Sequence, residues 1–256
     1  MKVSVIIPAH NEEKLIEKTI KRIYDIMTKS GYNYEILVID DNSNDKTGLI
    51  IERLSKINKK IIPIHKKTRT KGSSGLGSAL RFGFKYCSGD IIIPFMGDLS
   101  DNPKDVPKLV NKILDGYDVV CGSRFIEGST IAGYPNLKLL CNRIYNRLFA
   151  FLFHMKIKDI SNAFKAYRKN VLKIAKPKSR GFEITSEIVL KSHIYGFKIT
   201  EVPVGWRKRE KEGGESKFGS FHSPRFIIFK LVRIGFSYVK LTLSLWFKFL
   251  SSKIIE

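Results

Sequence analysis

Four stretches of the chain are continuous apolar runs rich in β-branched residues, and each stops at a polar cluster: VSVIIPA, YEILVIDDNS, GDIIIPFMGD and YDVVCGSRF. A strand with one wet face alternates apolar and polar residues; a run without alternation belongs to a strand covered on both faces. Helical spacing fills the intervals. In NEEKLIEKTIKRIYDIM, Leu15, Ile16, Ile20, Ile23 and Met27 share a face, with Asn11 expected as N-cap and acids in the first turn. KTGLIIERLSKI reads as a second helix, IIPIHK as a short strand, GSSGLGSALRFGFKYC as a Gly-rich turn into a helix, and NPKDVPKLVNKIL as another helix. This alternation dictates an α/β fold with a mostly parallel, doubly wound sheet. Ligands on such sheets bind beyond the carboxyl ends of the strands, where Pro8–Glu12, Asp40–Asp41, Asp98 and Arg124 fall.

The second half changes character. YPNLKLLCNRIYNRLFAFLFHM is an amphipathic helix with Lys138, Asn142 and Asn146 along one edge. GFEITSEIVLKSHIYGF reads as a helix, KITEVPVGW as a strand and RKREKEGGESKFGS as a charged loop. In FKLVRIGFSYVKLTLSLWFKFL, Lys230, Arg233, Ser237, Lys240, Ser244 and Lys248 recur every three or four residues, one polar stripe on an otherwise apolar helix. That pattern suits a helix lying in a membrane interface rather than spanning the bilayer. The expected organisation is one domain over residues 1–222 and an amphipathic helical segment over 223–256.

Charge narrows the partners. Lys+Arg 46 against Asp+Glu 24 gives a formal net charge of +22, which suits nucleic acid, an anionic membrane surface or a phosphorylated substrate. Nucleic acid is disfavoured, because no basic platform interleaved with aromatics is present. Cys87, Cys121 and Cys141 are odd in number and widely spaced, which argues against a disulfide framework or zinc site and for a reducing compartment. MKVSVIIPAH turns polar too soon for a signal peptide, and no stretch reads as a clear transmembrane helix, so the expected location is the cytoplasmic side of the membrane, peripherally bound.

In order along the chain, PAHNEE, VIDDNSNDKT, KGSSGLGSAL, MGD, GSRF and GESK resemble the motifs of family 2 glycosyltransferases, over roughly residues 1–220. The chain is most similar to the dolichol-phosphate mannose synthase group and its polyprenyl-phosphate relatives. The resemblance implies a GT-A fold, a Rossmann-like sheet. It also implies a nucleotide-sugar donor held by Pro8, His10, Glu12, Val38, Asp40, Gly97 and Ser100. Gly75, Gly77 and Ala79 would serve close helix–sheet packing. Alone, Asp-Asp-Asn-Ser could be only a turn, but adjacent acids with no basic neighbour repel each other and call for a ligand or cation.

The family's metal motif is Asp-x-Asp. Here Met96 replaces the first acid, leaving Asp98, with Asp101 three residues on as a second candidate ligand for Mg2+ or Mn2+. Such ions manage with one or two carboxylates when substrate phosphates and water complete the shell. By the same resemblance Arg124, Arg209 and Lys217 stabilise the departing diphosphate, with Arg207 and Lys208 as alternatives to Arg209. Lys138 and Asn142 take the acceptor-phosphate positions, where Arg and Ser are more usual. A lipid phosphate needs no strong base, since its second pKa is about 6. A saccharide acceptor would need one, and Glu183 or Glu187 are the candidates. The expected activity is inverting transfer from a nucleotide sugar to a polyprenyl phosphate. The alternatives are transfer to a saccharide or cell-envelope acceptor and, because of Met96, a catalytically lapsed nucleotide-sugar-binding protein. Sugar, nucleotide and oligomeric state are left open.

Overall fold

The computed structural model describes residues 1–67, 75–208 and 224–254. Along the chain run β1 (Lys2–Ala9), α1 (Ile16–Lys29), β2 (Asn33–Asp40), α2 (Thr47–Ile57), β3 (Ile61–His65), α3 (Leu76–Phe84), β4 (Ile91–Pro94), α4 (Val106–Leu114), β5 (Val119–Ser123), β6 (Thr130–Ala132) and α5 (Asn136–Leu152). They are followed by β7 (Lys165–Arg168), α6 (Lys169–Ala175), α7 (Ile184–Ile194), β8 (Ile199–Pro203), β9 (Gly205–Arg207) and α8 (Pro224–Ile254). Seven strands form one sheet in the order β3-β2-β1-β4-β7-β5-β8, and β6 pairs with β9 in a separate ribbon.

The sheet is parallel except for β7, which runs antiparallel to both β4 and β5. The missing alternation in the strand sequences is explained by the two apolar layers. Val3, Val5 and Ile7 of β1 face α1, α2 and α4, whereas Ile6 joins Leu37 and Ile39 under α3, α5 and α7. The inner side of α8 packs on that second layer through Leu245 and Phe249, whose ring lies 5.7 Å from His193 of α7. The expected doubly wound sheet is therefore present.

Three local expectations are corrected. Asn11 is not the cap of α1, which begins five residues later; it sits at φ +54 and its side chain accepts a hydrogen bond from Asn44 N at 2.9 Å. β6, β7 and α6 were not anticipated, because segments this short carry little periodicity. Gly75 and Gly77 do not pack on the sheet. A Cβ there would lie 2.7 Å from Arg180 O and 2.6 Å from Ser179 O, so these glycines admit the loop before α7; it is Gly83 that meets the sheet, against Ile39.

At the edge where β1 and β2 begin, buried Glu35 accepts hydrogen bonds from Ser4 Oγ and from Ser88 N and Oγ, and pairs with Lys2. Burial alone would raise its carboxyl, but these donors outweigh it and hold it at about 2. This polar knot lies at the end of the sheet away from the candidate site.

Candidate active site

The carboxyl ends of β2, β1 and β4 are adjacent in the sheet, so Asp40, Pro8 and the loop carrying Asp98 lie along one edge. Two loops lock together there. Asp41 N donates to Ala9 O at 2.8 Å, His10 Nδ1 lies 3.0 Å from Asp41 O, and Glu12 N donates to Thr47 Oγ1 at 2.8 Å. Asp40 accepts from Ser43 N at 2.9 Å, the turn that Asp-Asp-Asn-Ser favours, and its other oxygen lies 3.1 Å from His65 Nδ1. Asp41 pairs with Lys66 at 2.8 Å, and that ammonium also donates to Ser78 Oγ at 2.9 Å.

The expectation that these acids lack a basic neighbour is thus overturned: His65 and Lys66, at the end of β3, supply it. His65 also reaches Glu52 at 2.8 Å. Burial would lower its pKa, but Asp40 and then Glu52 raise it overall. Val38, expected near the nucleotide, is wholly buried among the core residues of β1 and α2, so it supports the edge from beneath.

The 94–103 loop begins by lying close over β1. A Cβ on Gly97 would stand 3.2 Å from Pro8 O, and Gly97 O accepts from Thr19 Oγ1 at 2.8 Å. Leu99 follows at φ +55 and almost fully buried, a strained conformation for a bulky residue and one that persists only where its surroundings impose it. The turn lets Ser100 N donate to Asp98 Oδ1 at 3.1 Å, while Ser100 O accepts from Arg207 N at 2.9 Å.

Asp98 is half-buried, and Asp101 is 2% exposed with an Oδ2 that has no hydrogen-bond partner among the described residues. Burial, and then the neighbouring Asp98, push the Asp101 carboxyl up to about 7 against the pull of Arg124 and Lys165. An orphaned carboxylate oxygen beside a second carboxylate fits a divalent cation. Among the described residues no group of three or more His, Cys, Asp or Glu could hold one. The pair therefore suits an ion that substrate phosphates help to coordinate.

Arg124 follows β5 and is nearly buried. Its Nε and one terminal nitrogen grip Asp159 at 2.7 and 2.9 Å, its backbone N reaches the same carboxylate at 3.0 Å, and Ser161 Oγ lies 3.1 Å away. The remaining terminal nitrogen donates to Tyr134 Oη at 3.2 Å. Most of the guanidinium expected against the diphosphate is thus committed to Asp159. That carboxylate arrives from the loop before β7; because β7 is reversed, its entry lies at the edge where its neighbours exit. Fully buried Lys165 holds this loop through Ile160 O and Asn162 O, and Asn146 Oδ1 accepts from Ile160 N at 2.8 Å.

Lys138 and Asn142 sit on α5 on the same side. The Lys138 ammonium lies 5.1 Å from the Tyr134 ring centroid, and Asn142 Nδ2 donates to Tyr134 Oη. Burial, and then Arg124, bring Lys138 down to about 8 despite the opposing pull of Asp98. Those shifts connect Asp98, Asp101, Arg124 and Lys138 electrostatically. Tyr134, missed in the sequence, carries a readable signal: 134, 138, 142 and 146 are spaced by four, a single helical edge continued past the helix start. Asp159, His65 and Lys66 carry none, since their partners lie 35, 25 and 25 residues away.

Glu187 accepts from Lys178 N and Ser179 N and pairs with Lys191, so it fastens the loop before α7. Glu183 accepts from Gly181 N at 3.1 Å. Arg209 and Lys217 lie outside the described residues. Of their neighbours, Arg207 Nε is 3.4 Å from Leu99 O and Lys208 N donates to Ala132 O at 2.8 Å.

Comparison with known proteins bears on the family and the fold. The chain is 36% identical over 219 residues, 85% of its length, to the dolichol-phosphate mannosyltransferase of Pyrococcus furiosus, and spans 59% of that protein. It is 27% identical over 237 residues, 90% of its length, to the polyprenol monophosphomannose synthase of Mycolicibacterium smegmatis, covering 86% of it. The glucosyl-3-phosphoglycerate synthase of Mycobacterium tuberculosis, solved with Mn2+, uridine diphosphate and phosphoglyceric acid, superposes with TM-score 0.70 at 21% identity, over 96% of this chain and 78% of that one, which shares the GT-A fold. The family model described as Glycosyl transferase family 2 matches residues 4–174. The chain belongs to glycosyltransferase family 2.

Proposed function

We propose that this protein is an inverting glycosyltransferase that moves a sugar from a nucleotide diphosphate sugar to a polyprenyl phosphate at the cytoplasmic face of a membrane. One observation carries the reading: Lys138, Asn142 and Tyr134 form a cationic, hydrogen-bonding cluster electrostatically linked to Asp98, while the best-buried candidate base, Glu187, is occupied by backbone N–H groups. A dianionic phosphate attacks without a base but must be held by cations. Its oxygen would form the new bond to C1 of the sugar as the bond from C1 to the diphosphate breaks. The electron pair leaves with the nucleoside diphosphate, and a single in-line displacement inverts C1.

Pro8, His10, Glu12, Asp40, Gly97 and Ser100 would line the donor side, with Arg209 and Lys217 completing it. Asp98 and Asp101 would hold Mg2+ or Mn2+, which when bound neutralises charge growing on the diphosphate. The glucosyl-3-phosphoglycerate synthase structures hold Mn2+ or Mg2+, and the names of the Pyrococcus and Mycolicibacterium relatives support a lipid-phosphate acceptor.

Outward apolar stripes support the membrane surface. Leu140, Ile144, Leu148 and Phe151 are exposed on α5, and Phe236, Val239, Leu243 and Phe247 on α8. Exposed apolar faces beside a strong positive charge suit an anionic lipid interface. Among the described residues no helix is long and apolar enough to cross a membrane.

The test is a panel of nucleotide sugars offered with dolichyl phosphate or with soluble sugars, with and without Mn2+. Metal-dependent transfer to the lipid is expected; turnover on soluble sugars alone would overturn the reading. Met96 favours one second reading, a lapsed nucleotide-sugar-binding protein, which donor binding without transfer or hydrolysis would select.

A further inference from the structure

We propose that Tyr134 is a third acceptor-phosphate residue beside Lys138 and Asn142: its hydroxyl accepts hydrogen bonds from Arg124 and Asn142 and gives its own proton's hydrogen bond to a phosphate oxygen. The inference rests on the reading above only for the kind of molecule that carries the phosphate.

The valences of the phenol make the case. A tyrosine hydroxyl has one hydrogen to donate and two lone pairs. Arginine has no acceptor atom, so the 3.2 Å contact with Arg124 uses a lone pair, and the Asn142 amide N–H uses the other. Both lone pairs of the hydroxyl are therefore used, no described residue accepts its hydrogen, and in the proposed role that hydrogen goes to a phosphate oxygen. Receiving two hydrogen bonds, one from a cation, polarises the O–H and strengthens it as a donor. The Arg124 end is rigid, because Asp159 grips the guanidinium from the far side.

The ring is equally fixed. It packs on Trp206 with centroids 4.4 Å apart and lies under the Lys138 ammonium at 5.1 Å. Tyr134 is thus the residue at which the committed Arg124, the cation Lys138 and the amide Asn142 meet. Burial holds its phenol above the ordinary value, so it keeps its proton at neutral pH and remains a donor. A neutral donor between two cationic side chains suits a phosphate monoester, whose three terminal oxygens each accept more than one hydrogen bond.

The decisive variant is Tyr134→Phe in the full chain, which keeps the ring, its stack and the cation–π contact and removes only the hydroxyl. Inorganic phosphate binding is followed by 31P NMR with saturating guanosine or uridine diphosphate present, and the lipid KM and kcat are measured alongside. The expected result is phosphate affinity weakened about tenfold, close to 1.4 kcal/mol, and a lipid KM raised by a similar factor. The nucleotide Kd should stay within about twofold and the melting temperature should fall by no more than a few degrees, the cost of the acceptor lost to Arg124 and Asn142, neither of which a loosened site would preserve.

Phosphate affinity within about twofold of the wild type, or losses shared by nucleotide binding and melting temperature, would overturn the inference. A wild-type chain that binds phosphate but transfers nothing to lipid sinks the functional reading and leaves Tyr134→Phe to decide the inference. Lipid transfer unaffected by Tyr134→Phe sinks the inference alone. Absence of both phosphate binding and transfer sinks both.

Discussion

The two sides of the candidate site are built in opposite ways. The proposed donor side consists of consecutive strand ends of a parallel sheet, tied by short hydrogen bonds between neighbouring loops, and its His65 pair reaches toward solvent with 36% side-chain exposure, whereas Asp41–Lys66 beneath it is nearly buried. The proposed acceptor side is assembled from β5, the loop before the reversed β7, α5 and β9, around an Arg124–Asp159 pair with side chains 6% and 0% exposed. Charges near water are weakly coupled to the fold, whereas charges sealed from it are strongly coupled. The proposed donor side should therefore tolerate loss of the His65 pair, and the proposed acceptor side should not tolerate loss of Arg124–Asp159.

The largest expected effect is on Asp159. Asp159→Ala leaves the Arg124 guanidinium buried without its partner, a change that costs about 3–5 kcal/mol. Thermal unfolding should fall by about 10 °C or more. A wild-type melting curve for this variant would break the comparison.

Asp98→Ala comes next, and it touches chemistry rather than folding. Transfer should drop about a hundredfold or more with the melting temperature preserved, and titration of Mn2+ in the presence of nucleotide should show weakened metal binding. Retained turnover would remove Asp98 from the site.

Lys138 sharpens the acceptor side through pH. In the proposed role its ammonium would hold phosphate only while protonated, and that proton leaves as pH rises through about 8. The lipid KM should therefore climb about tenfold per pH unit above 8, while the phosphate, with a second pKa of about 6, sets the acid limb. Lys138→Arg should abolish the alkaline limb. A wild-type profile flat to pH 10 would show that Lys138 does not hold the phosphate.

The smallest effect belongs to His65. Its pKa is raised in the fold, so the stability from its pairing with Asp40 and Glu52 is fully present below the unfolded value of about 6.5 and is lost as pH rises through the raised folded value. Its exposure limits that contribution to under about 1 kcal/mol. His65→Gln should shift the melting temperature by no more than a few degrees at pH 6 and less at pH 8. A larger shift would mean the donor side is as tightly coupled as the acceptor side.

The same contrast explains what could be read from the sequence. The donor strands announce themselves because burial on both faces of a parallel sheet requires unbroken apolar runs, as in VSVIIPA and EILVID, and their ends mark the ligand edge. The acceptor side is legible only where it follows a helix, at Lys138 and Asn142. Asp159 stands in KDISNAFKAYR, where a four-residue reversed strand leaves no period to detect and the partner of the carboxylate is 35 residues upstream. The partners of Asp40 and Asp41 were hidden similarly: the register that sets β3 beside β2 brings His65 and Lys66 to the acids, and nothing local in IIPIHK announces it.

The reversal of β7 also bears on how such a protein diversifies. Because one rim collects chain segments travelling in both directions, the stretch from 153 to 164 reaches the site without belonging to a parallel crossover, and only its exposed positions between the buried anchors Phe153, Asp159, Ile160 and Phe164 are free to vary. If the proposed acceptor role holds, exchanging those variable positions together with the first turns of α5 between homologues, with the buried anchors kept, should change acceptor preference while leaving donor use unchanged.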